Sequence, residues 1–176
     1  AGRGGAVYIN GASAVARFTK TANGTALFQG NTSTDWAGAV MLQGTALNNV
    51  TIQGYTFDGN RASNGAAVRL QGGNSGAKIQ DAVFTDNTAT GGGGAVFAQG
   101  ETTNNRATIQ VTNGTFTGNT GSSKGGAVYL NCANATFTGT FTFSGNSSSN
   151  GADIYNTNTT LQLPTNSKRI LESLSK

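Results

Sequence analysis

The feature that most constrains this chain is a pair of short motifs that alternates along nearly its whole length. One motif is Phe-x-x-Asn, which occurs five times, and the other is a Gly/Ala-Val-x signal that follows it. The interval from the Asn to the next Val or Ile is always 8 or 9 residues, whereas the interval from Val to the next Phe varies from 15 to 21. Such self-similarity is typical of repeat proteins, so we expect stacked coils of fixed cross-section with one variable side.

Each repeat contains three short segments in which apolar and polar residues alternate, as they do in half-buried strands. No helical pattern lies between them. We therefore predict an all-β fold, a right-handed single-stranded parallel β-helix of about five to six coils with three strands per coil. The right hand is an expectation from the usual hand of β crossover connections.

The repeat pattern predicts one β-helix domain over residues 1–163 and a separate C-terminal segment over residues 164–176. After Pro164 the pattern stops, and Ile170, Leu171 and Leu174 fall on one face of a possible short helix that Ser167 begins. Because an open solenoid end exposes its core, we expect this segment to be a cap. A linker into a further domain is the alternative. The chain begins inside a motif without Met, so we expect a mature product or an excised piece of a longer chain.

Composition agrees with short strands and turns, because the chain has 27 Gly, 1 Pro and only 10% charged residues. No apolar stretch is long enough for a membrane span. The net charge of +4 is spread along the chain, so we expect no nucleic-acid partner. Cys132 is the sole cysteine, interpreted as a core residue, and there is no histidine. We therefore expect no metal and no cofactor.

The asparagines of the Phe-x-x-Asn motif predict a structural ladder. Stacked coils bring equivalent residues to about 4.8 Å from one another, close enough for side-chain amides to hydrogen-bond up and down the stack. A row of asparagines that binds a ligand is the functional alternative. The predicted ladder comprises Asn31, Asn60, Asn87, Asn119 and Asn146.

The residue after each Val or Ile predicts an exposed row, because it faces away from the core if Val faces inward. Stacked on one face, the row forms an apolar and aromatic stripe, and a surface of this kind usually marks an interaction site. A covering loop, tag or neighbouring domain is the alternative. We take this stripe as the candidate binding site: Tyr8, Met41, Arg69, Phe97, Tyr129 and Tyr155.

Catalysis is not expected. Among the seven acidic residues only Asp58 and Asp86 fall near each other by register, and glycoside hydrolysis requires paired carboxylates on one face. The two could also hold a calcium ion together with backbone carbonyls. Since no Arg or further acid converges on them, we identify no catalytic residue and no metal site.

The alternation of Gly-Gly-Ala-Val (residues 4–7, 93–96 and 125–128) with Phe-x-x-Asn resembles the repeats of the polymorphic outer membrane proteins of chlamydiae. The resemblance covers roughly residues 4–155, although Trp36-Ala37-Gly38-Ala39 and Asn64-Gly65-Ala66-Ala67 lack the glycine pair. It implies an autotransporter passenger domain, a right-handed β-helix displayed at the cell surface that acts as an adhesin.

On this basis we expect an extracellular, surface-displayed segment with an adhesive or structural, stalk-like role. Its expected partners are a host-cell or matrix protein or a surface glycan, with end-to-end self-association through the exposed terminal coil. The alternative is a secreted ice-binding, carbohydrate-binding or carbohydrate-active β-helix. Ice binding would use an outward polar row, interrupted by Gln and Lys, that comprises Thr51, Gln53, Lys78, Gln80, Thr108, Gln110, Thr136 and Thr138.

Overall fold

The structure is a computed structural model that describes residues 2–44, 47, 49–73 and 75–164. Within these ranges the chain forms strands and no helix, and every pairing between strands is parallel. About five turns stack into a β-solenoid, so the predicted parallel β-helix is confirmed. The predicted C-terminal helix or cap with Ile170, Leu171 and Leu174 lies outside the described residues.

The first sheet contains the strands that begin at the Val or Ile of each Gly/Ala-Val-x signal. Val7, Val40, Val68 and their counterparts pair directly with one another, so the motif sets the register of the stack. Interior strands of this sheet are buried on both faces. The six strands are β1 (Val7–Asn10), β4 (Val40–Gln43), β8 (Val68–Gln71), β11 (Val96–Gln99), β14 (Val128–Asn131) and β16 (Ile154–Thr157).

The second sheet corresponds to the second and third predicted strands, which differ from the prediction in three coils, those of β9 (Gly76–Thr85), β12 (Ala107–Thr117) and β15 (Ala133–Ser144). There they form one long strand that bends at Asp81, Asn113 or Gly139, where φ is 52°, 51° and 84°. These bends change the direction of the strand without ending its hydrogen bonds. The sheet comprises β2 (Val15–Thr19), β3 (Leu27–Gln29), β5 (Asn49–Gln53), β6 (Thr56–Asp58), β9 (Gly76–Thr85), β12 (Ala107–Thr117), β15 (Ala133–Ser144) and β17 (Thr160–Gln162).

A third, narrow sheet follows the asparagine corner and was not predicted. Its strands are two residues long, too short for an alternating pattern to be visible in the sequence. They are β7 (Arg61–Ala62), β10 (Thr88–Ala89) and β13 (Thr120–Gly121).

A column of stacked phenylalanine rings runs through the core along the axis of the solenoid. Phe57, Phe84 and Phe116 are fully buried, with ring centroids 5.0 and 4.7 Å apart and nearly parallel planes. Phe28 and Phe143 extend the column at either end. The Phe of each Phe-x-x-Asn motif therefore fills the core of one coil and stacks on the next.

The residue before each ladder asparagine adopts a left-handed backbone conformation. Four coils place glycine there, with φ between 60° and 65°, at Gly30, Gly59, Gly118 and Gly145. The remaining coil places Asp86 there at φ 52°, and its side chain is exposed. A left-handed conformation is unfavourable for a residue with a Cβ, although Asp tolerates it better than most.

The substitution Asp86→Gly is therefore expected to raise the free energy of unfolding by about 0.5–1 kcal/mol, because it relieves this strain. Guanidinium denaturation monitored by circular dichroism measures the change. The reciprocal substitution Gly118→Asp should destabilise the protein, because it places a Cβ at a φ of 65° and a second carboxylate beside that of Asp86. Lower stability for Asp86→Gly would contradict the argument.

Candidate functional site

The five motif asparagines form a continuous hydrogen-bonded ladder. In each step the side-chain Oδ1 accepts from both the backbone N–H and the side-chain Nδ2 of the preceding asparagine. Between Asn60 and Asn87 these two distances are 3.1 and 2.8 Å, and between Asn87 and Asn119 they are 3.1 and 2.9 Å. The same pattern joins Asn31 to Asn60 and Asn119 to Asn146.

Each interior amide also ties two coils together through the backbone. Asn87 Nδ2 donates to the Phe57 carbonyl at 3.0 Å, and Asn119 Nδ2 donates to the Phe84 carbonyl at 3.0 Å. Asn60, Asn87 and Asn119 are fully buried. Because these amides are occupied and inaccessible, the interior of the row can hold coils together but cannot contact a ligand.

The predicted exposed stripe is wrong for most of its residues. Met41, Arg69 and Phe97 are at most 5% exposed, and Tyr129 is 9% exposed. Tyr155 is partly buried, and only Tyr8, at 41%, is exposed. The row does face away from the core and is stacked in register, but it is covered along its interior coils.

The cover is the glycine-rich corner that precedes each strand of the first sheet. Its backbone folds back over the outward side chains so closely that a Cβ at Gly93 would lie 3.0 Å from the Cβ of Phe97. A Cβ at Gly92 would lie 2.9 Å from the ring of Tyr129. Glycine at the corner therefore allows the chain to bury this row, which removes it as an open binding surface.

Cations and aromatic rings alternate within the covered row. The Arg69 guanidinium lies 4.7 Å from the centroids of both the Trp36 and Phe97 rings. The Arg3 guanidinium also lies over the Trp36 ring, 4.9 Å from its centroid, and Phe97 stacks on Tyr129 at 4.4 Å. Sandwiching of this kind stabilises a guanidinium that has lost most of its water.

Arg69 is incompletely satisfied in this position. One terminal nitrogen donates to Gln71 Oε1 at 3.2 Å and Gln99 Oε1 at 2.9 Å, while its buried Nε has no partner among the described residues. Burial lowers the pKa of the Arg69 guanidinium to about 10, and the Asp35 carboxylate acts in the opposite direction. The group therefore remains protonated at neutral pH, and its contacts compensate only part of the free-energy cost of its desolvation.

The substitution Arg69→Met is expected to raise the free energy of unfolding by about 1 kcal/mol. Replacing a buried, imperfectly compensated charge by an apolar side chain of similar length is often stabilising, and a thioether packs well on aromatic rings. Urea denaturation of the two proteins measures the difference. A loss above about 2 kcal/mol would instead show that the cation–π contacts and hydrogen bonds outweigh the desolvation.

A row of side-chain amides lies at the end of the strands of the first sheet and borders an open groove of about 400 Å³. Asn10, Gln43, Gln71 and Gln99 pair in register across β1, β4, β8 and β11. The next residue in these coils is a glycine, so backbone forms the floor of the groove. Glu101 lies at one end.

The amide oxygens of this row are held by basic and phenolic side chains. Gln43 Oε1 accepts from the Tyr8 hydroxyl at 2.7 Å and from Arg3 at 3.1 Å. Gln71 and Gln99 accept from Arg69, as described above. No described atom accepts a hydrogen bond from the Nε2 of these three glutamines. This row was not predicted, although Gln at the same position of three successive repeats is visible in the sequence.

The second sheet carries the predicted polar row, and the two aspartates that were considered for catalysis lie at or directly after the ends of its strands. In the predicted polar row, Gln110 rather than Thr108 pairs with Lys78, so the row is shifted by two residues in that coil. Asp58 is in register with Gln29 and Thr85, and its carboxylate accepts from Gln29 Nε2 at 2.7 Å. Asp86 follows Thr85, so Asp58 and Asp86 occupy adjacent positions of neighbouring coils as predicted, with Asp86 in the row of Gly118. Among the described residues no three His, Cys, Asp or Glu side chains come together.

Two segments match the family model of the Chlamydia polymorphic membrane protein repeat, residues 81–99 and 113–131. Each segment runs from β9 or β12 through the ladder asparagine to the end of the next strand of the first sheet, and the two are neighbouring coils. The chain matches no curated protein and no solved structure. The resemblance found in the motifs is thus confirmed, and the repeat family indicates a surface-exposed protein of the outer membrane. The described residues include no helix with the length and apolarity of a membrane span.

Proposed function

We propose that this chain is a non-catalytic, adhesive segment of an extracellular autotransporter passenger domain. The observation that carries the proposal is the match of two adjacent coils to the Chlamydia polymorphic membrane protein repeat. A solenoid suits this role, because each coil contacts only its neighbours and repetition extends a binding surface away from the cell. The proposed partners are a host-cell or matrix protein or a surface glycan, and no nucleic acid.

Binding of the purified segment to cells tests this proposal. Fluorescent beads coated with the protein are expected to bind cultured epithelial cells or immobilised matrix in a saturable manner, and soluble protein should compete. Beads coated with a solenoid of unrelated sequence serve as the control. Binding no greater than that of the control beads would overturn the adhesive role.

We also propose that the segment associates end to end with a second copy. In the first coil Val7 and Ile9 are only partly buried, whereas their partners Val40 and Leu42 in the next coil are fully buried. Among the residues that the structure describes, β1 is the terminal strand of its sheet and pairs with β4, so in this segment its outer edge is available to a further strand. Light scattering should detect concentration-dependent growth, and a strict monomer at high concentration would contradict association.

A secreted ice-binding protein is the second candidate, favoured by one observation. Outward threonines of the second sheet stack in two neighbouring columns, in which Thr115 pairs with Thr142 and Thr117 pairs with Thr85. Regular threonines on a flat sheet can order water. Val83 and Asp58 interrupt the columns, so we rank this candidate second. Thermal hysteresis above that of a buffer control would favour it over adhesion.

A further inference from the structure

We propose that the groove beside Gln43, Gln71 and Gln99 binds a neutral, N-acetylated oligosaccharide laid along the axis of the solenoid. The inference deepens the proposed adhesive function, because it assigns that function a glycan partner and a site. The site is distinct from the predicted stripe, whose interior residues are buried.

The groove amides are oriented by the hydrogen bonds that their oxygens accept. An amide carries an acceptor oxygen and a donor nitrogen, and the bonding of one fixes the direction of the other. Because Arg69 holds Oε1 of Gln71 and Gln99, and Tyr8 and Arg3 hold Oε1 of Gln43, each Nε2 is left to face the groove. The three coils therefore present a row of N–H donors.

The charged side chains near the groove are of both signs. Two cations, Arg3 and Arg69, lie behind the row, while Glu101 borders the groove and Asp35 interacts with Arg69. The opposite charges balance, so nothing favours a polyanion over a neutral ligand. A row of donors around a neutral site is complementary to carbonyl acceptors, and Glu101 can accept from hydroxyl groups at one end.

The spacing of the donors along the solenoid axis restricts the class of ligand. The donors recur once per coil, about 4.8 Å apart, and the four coils of the groove span about 15 Å. Carbonyls on one side of an extended peptide recur about every 6.6–6.8 Å, so a peptide strand falls out of register with the donors within two coils. In a β-1,4-linked sugar chain successive acetamido groups project to alternate sides, so the carbonyls on one side can meet the donors of every second coil while hydroxyl oxygens accept from the donor between them. A four-sugar chain is long enough to cover it.

The shape-conserving test of the site uses substitution of a groove glutamine by glutamate, which has nearly the same size but replaces the amide by a carboxylate. Gln71→Glu retains an oxygen that accepts from Arg69 but removes the Nε2 donor, so folding is preserved while the donor row is broken. Gln110→Glu makes the same change at an exposed position on the second sheet and is the matched control. Gln99→Glu repeats the test if Gln71→Glu lowers the melting temperature.

Isothermal titration with tetra-N-acetylchitotetraose should give saturable binding to the intact chain. N-acetylglucosamine alone should bind at least 100-fold more weakly, and cellotetraose, which lacks acetamido groups, at least tenfold more weakly. Gln71→Glu should weaken binding of the tetrasaccharide about tenfold or more, because it removes one hydrogen bond and adds repulsion between the carboxylate and the ligand carbonyl. Gln110→Glu should leave the affinity unchanged.

The inference is overturned if the tetrasaccharide does not bind at millimolar concentration, if cellotetraose binds equally well, or if Gln71→Glu and Gln99→Glu bind like the unchanged protein. Cell adhesion is measured separately with the same variants. Adhesion that persists in folded Gln71→Glu and Gln99→Glu rejects the groove but retains the adhesive function, whereas glycan binding without cell binding rejects the adhesive function alone.

Discussion

Replacing Asn87 by alanine is expected to lower the free energy of unfolding by about 3–4 kcal/mol, the upper part of the range for single substitutions. The side chain makes four hydrogen bonds: two that its Oδ1 accepts from Asn60, one donated to Asn119 and one donated to the Phe57 carbonyl. Alanine would leave the Asn60 amide groups and the Phe57 carbonyl without their partners in a region that water does not reach, and buried polar groups without partners are costly.

Guanidinium denaturation followed by circular dichroism measures this loss, and Asn134→Ala provides the control. Asn134 lies in β15 with its side chain exposed, so its loss should cost less than about 0.5 kcal/mol. Asn119→Ala should behave like Asn87→Ala, because its contacts repeat one coil further along. Similar losses at Asn87 and Asn134 would show that the ladder does not stabilise the stack.

The fold and the ladder were predictable because both depend on spacing. The interval from Asn to Val corresponds to one tightly constrained corner, which varies by only one residue: Asn60 to Val68 is one residue shorter than Asn87 to Val96, and both pairs stay in register. The variable interval corresponds to the side where the second sheet begins. Spacing therefore specified which residues stack and in which order, before any side-chain contact was known.

Burial of the predicted stripe was not predictable from alternation. Period-2 alternation indicates that Arg69 and Phe97 face away from Val68 and Val96, but it does not indicate what packs on their outer side. The glycine corner was interpreted as a tight bend, and its second consequence, that a bare backbone can lie directly on the outward row, depends on tertiary packing. Arg69 within an otherwise apolar strand was the local signal that this face differs from an ordinary exposed surface.

Backbone bends explain two further differences between prediction and structure. Cys132 was expected in the core because it continues the alternation of Val128 and Leu130, but β14 ends at Asn131 and Cys132 turns the corner at φ 48°, partly buried. The bends at Asp81 and Asn113 carry a second, shorter ladder, in which Asn113 Nδ2 donates to Asp81 Oδ1 at 2.8 Å. Asp and Asn favour such conformations, but their abundance in the chain hides these positions in the sequence.

Replacing Phe116 by alanine is expected to lower the free energy of unfolding by about 4–5 kcal/mol, the largest effect among the substitutions considered. Removing a fully buried phenylalanine costs about 3–5 kcal/mol, and each stacked aromatic pair contributes a further 0.5–1.5 kcal/mol. Phe116 is completely buried and stacks on two rings, with centroids 4.7 Å from Phe84 and 4.9 Å from Phe143. The rigid, hydrogen-bonded coils on either side cannot collapse into the space, so a cavity should remain.

A matched substitution in the first coil separates stacking from the general loss of an aromatic side chain. Phe18 is partly buried and meets Phe28 edge-on at 6.3 Å, so Phe18→Ala should cost only about 1–2 kcal/mol. Phe116→Leu keeps most of the volume but loses both stacked pairs, so its loss of unfolding free energy should lie between those of Phe116→Ala and Phe18→Ala.

Hydrogen exchange should show where the stack weakens. Because each coil contacts only its neighbours, Phe116→Ala should make amide exchange faster in β12, β15 and β9 than in the more distant β4. Equal losses at Phe116 and Phe18, or uniform exchange along the stack, would contradict a column that holds the coils together.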